Sequence, residues 1–412
     1  MHFAKSTARY FVETIRFVRP AAHSVVLVAA LVVSTTAHGW ADPLVVSKSS
    51  TPCEASSTVY KTIQTAVDAA TSGAEIDVCP GTYPEQVRIT IPLTLSGIHT
   101  GNADNPAVTV PVGGVIANAT ASPRGTPYST AAQILVQNAA GVTVKNLAVH
   151  GSGSGLTDCN TGIVGIYYQN ASGTVDNVSV GGQVGFSNCG RGLGIYVESD
   201  GAASSTVTIQ NSVVRFTSGL NIGGTAAGTT VKIAGNSVVG SNISDDNGIY
   251  VAQGATGTVS GNTVMNFTIP SDTLGSNTDG LCGIQITNSS NVTISGNTVG
   301  NTNCAISATQ GSSLKIVHNT LVSTVDNDGI FICGNGNLVQ DNTIMGSRNA
   351  GIRLDNSAAD FCGGVGNGNT ITQNTINGAC IGILVPAGTT GNAFSLNTYN
   401  NVGIIKSDSI CP

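Results

Sequence analysis

Apolar and polar residues alternate with a period of two in short runs along most of this chain. Residues 231–233, 313–317 and 369–372 show the alternation most clearly. Gly, Asn, Ser and Asp interrupt the runs every few residues, which favours tight turns and leaves no room for helices of useful length. The pattern therefore predicts short β-strands, each with one face toward a core, connected by polar turns.

An asparagine followed by Ser, Thr or an aliphatic residue recurs through the same region. Its spacing varies between 22 and 35 residues, which is typical of a solenoid whose coils carry loops of different length. The recurring residues are Asn146, Asn177, Asn211, Asn236, Asn262, Asn297, Asn319, Asn342, Asn374 and Asn397. Because Asn tolerates left-handed turns and its amide can bond to an Asn one coil away, we interpret the recurrence as a structural ladder. Stacked coils of short strands predict an all-β fold, a parallel β-helix of about ten or more coils.

One helix is predicted at 57–70, with a Ser or Thr at positions 56–58 as its N-cap. Four apolar residues repeat there at helical spacing, namely Ile63, Ala66, Val67 and Ala70. The end of a solenoid exposes core residues and edge strands and therefore needs a cap. We expect this helix to be that cap.

Residues 1–41 have the features of a secretory signal peptide. Four basic residues outnumber Glu13, an apolar run occupies 25–33, and Gly39-Trp40-Ala41 offers a small-x-small cleavage site. The run is too short to span a bilayer, so we expect a secreted or periplasmic protein with no stable membrane span; an uncleaved anchor is the alternative. The other predicted parts are an exposed lead-in at 42–56, the cap and first coils at 57–100, β-helix repeats at 101–404 and a C-terminal tail at 405–412.

The charge of the chain limits the partners that it can bind. The net charge is −6, and loss of the basic leader makes the mature chain more acidic. Without a basic patch, we expect no nucleic-acid partner. An acidic exterior also disfavours an anionic polymer, unless calcium bridges the two.

The ten cysteines are spaced in a way that predicts disulfides between coils. Paired in sequence order, their separations are each about one coil, and adjacent coils lie about 4.8 Å apart, within the reach of a disulfide. The cysteines are Cys53, Cys79, Cys159, Cys189, Cys282, Cys304, Cys333, Cys362, Cys380 and Cys411. The sequence leaves their connectivity open, above all at Cys333, Cys362 and Cys380. A metal site is the alternative, but there is no C-x-x-C motif and the six histidines are scattered.

The N-terminal segments resemble those of right-handed β-helix proteins of the pectin-lyase-like superfamily. They read YKTIQTAVDAA at 60–70, IDVCPGTYPE at 76–85 and IPLTLSG at 91–97. With the coils, the resemblance extends from about Ser57 to Ile404. It implies a single-stranded right-handed parallel β-helix, but no particular activity, because the superfamily includes lyases, hydrolases, esterases and adhesive proteins.

Residues 277–280, Asn-Thr-Asp-Gly, are similar to the first motif of polygalacturonases. That family continues with Asp-Asp-Cys, Gly-His-Gly and Arg-Ile-Lys, whereas this chain has Thr302-Asn303-Cys304, an Asp-rich turn without His at 326–329, and Arg353-Leu354-Asp355. An inverting hydrolase needs one carboxyl as acid and another as base. The loss of both central carboxylates disfavours polygalacturonase chemistry.

Several Asp-Gly or Asn-Gly turns precede Ile-rich strands on successive coils, which should align Asp246, Asp279 and Asp328 along one edge. We take these three as candidate catalytic residues, and Arg348 and Arg353 as candidate substrate-binding residues. Neighbouring carboxylates also suit calcium, the only cofactor that this pattern suggests. The same dipeptides suit tight turns, which leaves a purely structural role open.

Two further features carry alternative interpretations. Glu198 and Asp200 form a second acidic spot, which we interpret as a solvated loop. Tyr167 and Tyr168 could stack on a sugar ring, but they fit better as an outward and inward pair on one strand.

Three functions are compatible with these observations. The first is an exported β-helix protein that binds or cleaves a polysaccharide or cell-surface glycan along the solenoid face, as a lyase or glycoside hydrolase if it is an enzyme. The second is a non-enzymatic surface or adhesive protein, and the third is a structural β-helix of an envelope assembly. The sequence does not decide whether the protein is catalytic.

Overall fold

The computed structural model describes residues 43–56, 58–99, 106–186, 189–240, 247–268, 282–324, 328–355, 362 and 366–411. These residues form a right-handed parallel β-helix, as the alternation and the resemblance predicted. Sheet 1 has 14 strands, sheet 2 has 12 and sheet 3 has 13. Each coil contributes one strand to sheet 2, so the described residues form twelve coils, in agreement with the predicted ten or more.

The strands of each sheet follow the chain from one coil to the next. Sheet 1 contains Val59–Tyr60, Leu44–Val46, Ala74–Val78, Leu93–Gly97, Val142–Lys145, Gly173–Asp176, Ser205–Gln210, Thr229–Ala234, Thr256–Ser260, Val292–Ser295, Lys315–Val317, Leu338–Gln340, Thr370–Thr372 and Ala393–Ser395. Sheet 2 contains Thr82–Pro84, Ala107–Thr109, Ala148–His150, Ser179–Gly181, Val213–Arg215, Ser237–Val239, Thr263–Phe267, Thr298–Thr302, Thr320–Thr324, Thr343–Met345, Thr375–Asn377 and Thr398–Asn400. Sheet 3 contains Val87–Ile89, Tyr128–Gln137, Thr161–Gln169, Gly192–Glu198, Leu220–Thr225, Asn247–Ala252, Cys282–Thr287, Cys304–Ser312, Ile330–Asn335, Ala350–Leu354, Ile381–Leu384 and Ile404–Ser407, with Ala119–Ala121 added as a short antiparallel strand.

The core is built from apolar residues that stack in register along the solenoid axis. In sheet 1, for example, Val259 pairs with Ile294, which pairs with Ile316, and the row continues to Val339. All four side chains are fully buried. Because every coil repeats the same inward positions, one continuous core runs through the coils.

Helix α1 spans Ile63–Ala69 and is shorter than predicted. Thr62, rather than a residue at 56–58, is the N-cap, and its side chain accepts a hydrogen bond from the Thr65 amide. The helix begins later because Val59–Tyr60 pairs as a strand with Leu44–Val46. Glu85 also caps α1, since its carboxylate oxygens accept hydrogen bonds from the amides of residues 63 and 64 at 2.9 Å.

The segment expected to be an exposed lead-in contains a buried strand. Val45 and Val46 are fully buried, and Leu44–Val46 pairs in parallel with Ala74–Val78. The expectation of exposure is therefore wrong for these residues. Val46 belongs to the main core and Leu44 packs against it, so this strand continues the core of sheet 1 toward α1.

The asparagine ladder is confirmed, with a correction to its register. From Asn236 onward each asparagine donates from its side-chain amide to Oδ1 of the next, at 2.9–3.0 Å. Asn146, Asn177 and Asn211 belong to a different position, because they adopt left-handed backbone angles. The residue that pairs with Asn236 is Ser212, one position after Asn211. Asn is favourable both in the left-handed turn position and in the ladder position that follows it. The recurrence of Asn in the sequence therefore assigned these three residues to the ladder, although they lie one residue before it.

All five disulfides predicted from sequence order are present. They join Cys53 to Cys79, Cys159 to Cys189, Cys282 to Cys304, Cys333 to Cys362, and Cys380 to Cys411, with Cα–Cα distances of 4.7–6.1 Å. Among the described cysteines none is free. The helices of the described part include none that is long and apolar enough to cross a membrane.

Candidate functional site

The outer face of sheet 3 carries rows of side chains that point away from the core. Because the strands are parallel and in register, equivalent outward residues stack along the axis. One such row is Leu135, Tyr167, Tyr196, Gly223, Tyr250, Gln285, Ser307, Phe331, Arg353 and Leu384. The row changes from aromatic to polar and then to charged along the solenoid, so its parts differ in the chemistry that they can perform.

Asp328 lies at the charged end of this face, directly before strand Ile330–Asn335. Its Oδ1 accepts hydrogen bonds from the side chain of Asn349 at 2.7 Å and from the amide of Ala350 at 3.0 Å. Its Oδ2 is buried without a hydrogen-bond partner and lies 3.7 Å from Nη1 of Arg353. Asp328 is fully buried, and burial raises its pKa to about 6, with the charge of Arg353 opposing that effect only in part.

Arg353 is held between two carboxylates and an aromatic ring. Its Nη2 lies 2.5 Å from Oδ2 of Asp355, and its guanidinium lies over the ring of Phe331, 5.2 Å from the centroid. Register explains the ring contact, because Phe331 pairs with Arg353 on the neighbouring coil. The arginine side chain is only 12% exposed, so these charged groups form a buried cluster rather than part of a solvated surface.

A cleft of about 480 Å³ adjoins this cluster. Its polar lining includes Asn288, Gln310, Ser312 and Asn335, and the Cys333–Cys362 disulfide forms another part of the wall. Asn288 follows strand Cys282–Thr287, and Gln310 lies near the end of strand Cys304–Ser312. Both have left-handed backbone angles, with φ of 48° and 55°. Asn288, Gln310 and Asn335 are all exposed, so three successive coils present amide groups to the same cleft.

Cys333 connects the cleft to the charged cluster. It packs with Phe331 and Cys362 in a small buried group, and Phe331 in turn lies under Arg353. The disulfide therefore connects the wall of the cleft, through Phe331, to the cluster of Asp328, Arg353 and Asp355. Amides and hydroxyls in the cleft can donate and accept hydrogen bonds, which suits hydroxyl-rich ligands.

The structure brings together two of the five predicted site residues. Asp328 and Arg353 lie side by side, whereas Arg348 is exposed at a turn where its backbone amide donates to the Thr324 carbonyl. Asp246 and Asp279 lie outside the described residues, so their roles and the calcium site stay predictions. Among the residues that the structure does describe, no group of three or more His, Cys, Asp or Glu could hold a metal ion.

The pairing register shows which described residues lie opposite Asp328 on the preceding coils. Cys282 pairs with Cys304, and the pairing of Ile306 with Ile330 then places Asp328 opposite Cys304. Cys304 and Cys282 thus hold the position of Asp328 on the two preceding coils, and the alignment of Asp328 with Asp246 and Asp279 stays a prediction. The sequence could not show this because the loops before these strands differ in length.

Glu198 is a buried residue that the sequence analysis assigned to a solvated loop. It is 9% exposed, accepts a 2.6 Å hydrogen bond from the Tyr167 hydroxyl, and accepts from the Ser122 amide at 3.2 Å. Burial raises the pKa of Glu198, while these hydrogen bonds oppose the shift. Glu198 lies two residues after Tyr196 on the same strand, so the two side chains face the same side of the sheet. This spacing was the sequence feature that could have indicated an outward position in a stacked row.

The remaining predictions for this region are confirmed. Asp200 is exposed, and its carboxylate accepts from the amides of residues 202 and 203, as in a solvated Asx turn; these hydrogen bonds lower its pKa. Tyr168 packs in the core, whereas Tyr167 points outward. Tyr167 also donates to the Thr120 carbonyl at 3.0 Å and is fully buried, so it presents no ring face to a sugar.

Two family models match the sequence. Residues 132–337 match the right-handed beta helix region, and residues 267–410 match the family described as periplasmic copper-binding protein (NosD). No curated protein matches the sequence significantly. The first match covers half of the chain and includes the whole cleft lining up to Asn335.

Solved structures with similar folds include several proteins of different activity. The GH136 lacto-N-biosidase from Eubacterium ramulus has a TM-score of 0.60 at 15% identity, covering 84% of this chain and 65% of that chain. The Dettilon tailspike protein gp208 has a TM-score of 0.57 at 15% identity, with coverage of 82% and 64%. DFA-IIIase from Arthrobacter chlorophenolicus A6, without its lid, has a TM-score of 0.50 at 14% identity, with coverage of 82% and 95%. This chain thus spans just under two thirds of the first two, and at these identities the likeness shows the fold alone.

Proposed function

Because this chain belongs to the right-handed β-helix family, we propose that it is an exported protein that binds a polysaccharide in the cleft beside Cys333–Cys362. The observation that carries the proposal is the row of exposed amides on three consecutive coils, from Asn288 through Gln310 to Asn335. Coils repeat about every 4.8 Å, so the row offers regularly spaced hydrogen-bond partners to a linear chain of sugars lying along the axis.

Binding fits the charged cluster better than cleavage does. Hydrolysis needs two carboxyl groups that reach the glycosidic bond, but Asp328 is fully buried and its Oδ1 already accepts two hydrogen bonds. At the position of the polygalacturonase carboxylate pair, Thr302 and Asn303 are buried and carry no acid. We therefore assign Asp328, Arg353 and Asp355 to the support of the cleft rather than to catalysis.

The similar folds are consistent with a glycan ligand without identifying it. A lacto-N-biosidase and DFA-IIIase are among the proteins of similar fold, and a β-helix presents a long face on which a polymer can lie. The net charge of −6 favours a neutral polymer in this cleft over an anionic one.

The residues present do not fit a copper site. The region similar to the copper-binding family contains a single histidine, His318, and its Nε2 lies 3.6 Å from Oδ2 of Asp341 at the surface. The cysteines of that region are paired in disulfides, which removes the thiolates that copper prefers. We propose no role for copper in this chain.

An oxidising compartment is the environment that these disulfides require. Five of them occur in the described chain, and disulfides persist outside the cytosol. Together with the match to a periplasmic family, they indicate an extracellular or periplasmic protein. Export by cleavage of residues 1–41 is the route that we propose.

To test the proposal, the purified protein is incubated with a panel of plant and bacterial polysaccharides. One assay measures whether the protein is retained by each polysaccharide, and a second measures release of reducing ends or unsaturated products. We expect retention of at least one neutral polysaccharide without products. Asn288→Ala and Gln310→Ala should each weaken that binding severalfold. Asn138→Ala is the matched control, because Asn138 also ends a strand of sheet 3 in a left-handed turn, at φ 55°, on a distant coil.

Three results would contradict this proposal in different ways. Product release would show an enzyme, whereas retention that is equal in all three variants would place the ligand elsewhere. If no polysaccharide is retained, a structural or adhesive role is favoured instead.

A further inference from the structure

A second cavity, of about 330 Å³, lies at the other end of the outer face of sheet 3. Arg124, Tyr128 and Arg191 line it together with Cys189 and Leu193. These residues come from the segment before strand Tyr128–Gln137 and from the start of strand Gly192–Glu198. The cavity is separate from the polysaccharide cleft, and none of the residues in its lining has been assigned a role above.

Two arginines in one cavity are notable in a chain with 16 basic and 22 acidic residues. The guanidinium of Arg191 lies 4.6 Å from the centroid of the Tyr128 ring, and its Nη1 donates to the Cys159 carbonyl. Because Cys159 is bonded to Cys189, the disulfide and Arg191 hold each other in place. Arg124 lines the same cavity, and the charges of Arg191 and Arg124 both act to lower the pKa of Tyr128 against the larger effect of burial.

The hydroxyl of Tyr128 is buried and has no hydrogen-bond partner in the described structure. Buried polar groups are almost always paired, so an unpaired donor calls for an explanation. The ring cannot easily turn elsewhere, because it packs on the backbone at Gly162, where a Cβ atom would lie 2.5 Å from Cε2 of Tyr128. The backbone therefore keeps the phenol in the wall of the cavity, with a donor that the protein itself leaves unused.

Glu198 is an acidic group that acts on Tyr128, and it would repel an anion bound in the cavity. The surroundings of Glu198 limit this repulsion. Its oxygens accept hydrogen bonds from Tyr167 and Ser122, and burial favours its protonated form. The cavity thus combines two guanidinium groups with a fixed phenol, and the Glu198 carboxyl outside its lining already accepts hydrogen bonds from the protein.

We infer that this cavity binds an oxyanion, namely the carboxylate or sulfate of a small ligand or of a charged sugar. Guanidinium groups match such oxygens in geometry and charge, and the Tyr128 hydroxyl would supply the additional donor. The inference does not depend on the polysaccharide cleft, whose amides lie on other coils.

Isothermal titration with sodium sulfate and with sodium glucuronate tests the inference on the full mature protein. We expect saturable binding of at least one probe, weakened tenfold or more by Arg191→Gln and by Arg124→Gln, and unchanged by Arg215→Gln on sheet 2. Tighter binding of glucuronate would identify a charged sugar as the ligand, and tighter binding of sulfate a simple oxyanion. Arg124 is exposed, so its variant tests the site even if Arg191→Gln does not fold.

Tyr128→Phe separates a binding role from a structural one. If the hydroxyl serves the ligand, this variant should lose affinity severalfold while its melting temperature without ligand stays equal or rises, because the unpaired donor is gone. The inference is overturned if neither probe binds, or if Arg124→Gln, Arg191→Gln and Tyr128→Phe all bind as tightly as wild type.

Discussion

The side-chain amide of Asn319 donates to Oδ1 of Asn342 at 3.0 Å, and the backbone amide of Asn319 donates to the same oxygen at 2.9 Å. Asn319 in turn accepts the equivalent pair of bonds from Asn297. Its amide also reaches the carbonyl of Ile294, and its side chain is buried. Asn319 therefore satisfies buried backbone groups on the coil before it, and its own backbone amide is satisfied by the asparagine on the coil after it.

Replacing Asn319 with Ala should destabilise the protein by about 3 kcal/mol, because it leaves buried donors of Asn297 without acceptors. Asn211→Ala is the control, because Asn211 is exposed and has a left-handed backbone conformation. Alanine tolerates that conformation less well, so this substitution should destabilise the protein by only about 1 kcal/mol. Urea unfolding followed by circular dichroism measures both. Equal costs for the two variants would mean that the ladder contributes no more than a turn.

Asp328 should make stability depend on pH. Its pKa is about 6 in the folded protein against 3.8 for the ordinary side chain, so the folded state binds more protons between these values. The stability associated with Asp328 is thus present below pH 4 and lost as the pH rises through 6. Asp328→Asn keeps an oxygen for Asn349 and Ala350 but cannot titrate.

The free energy of unfolding of Asp328→Asn, relative to wild type, should therefore rise by at most about 3 kcal/mol between pH 4 and pH 7. Burial raises the pKa of Asp77 to about 6 as well, but Asp77 is present in both proteins and cancels in the comparison. Parallel pH profiles for the two proteins would show that Asp328 titrates normally in the folded state.

Gly283 should not tolerate even a methyl group. A Cβ atom there would lie 2.3 Å from Cγ1 of Val299, where sheet 3 closes onto sheet 2, so Gly283→Ala should cost about 2–3 kcal/mol. Gly296→Ala is the control, because nothing lies near its Cβ and only its φ of 63° opposes the change. Adding Val299→Ala should recover part of the cost at Gly283 in a double-mutant cycle. Purely additive effects would exclude the steric cause.

The Cys282–Cys304 disulfide closes a separation of 22 residues. Replacing both cysteines with Ala should lower the stability by about 3 kcal/mol on the loop-entropy scale. Thiol titration of the unfolded, unreduced wild type should find no reactive thiol at any of the ten cysteines. A titre of several thiols per chain would contradict the disulfide assignment and the oxidising compartment.

The fold was predictable because its signals are local and repeated. Alternation identified strands, and cysteine separations of one coil suggested the five pairs, although the sequence left their connectivity open and the structure decided it. What failed was single-residue register. Asn211 and Asn236 are both favourable in turns, yet one has a left-handed backbone and the other is buried in the ladder. Likewise, Val59–Tyr60 fits a helical stripe in sequence but pairs as a strand.

The candidate site was predictable only in part, for a related reason. Asp328 and Arg353 were named from the sequence, but Phe331 and Asp355 were not recognised as their neighbours. Their contact depends on which outward residues of adjacent coils share a row, and loops of variable length separate those residues along the chain. Glu198 was misassigned because, in sequence, a short acidic segment looks like a solvated turn. Its burial becomes evident only when the residues stacked on it from neighbouring coils are known.

The placement of the disulfides has a mechanical consequence for the solenoid. Each bond joins one coil to its neighbour, and two stretches of described coils have no bridge, one between Cys79 and Cys159 and one between Cys189 and Cys282. Under tension along the axis, the bridged coils carry load through covalent bonds, whereas the unbridged stretches carry it through hydrogen bonds and side-chain packing. Stretching therefore opens the solenoid first in these two stretches, and the bridged coils beside them remain in register, so that the separated coils can close again on them.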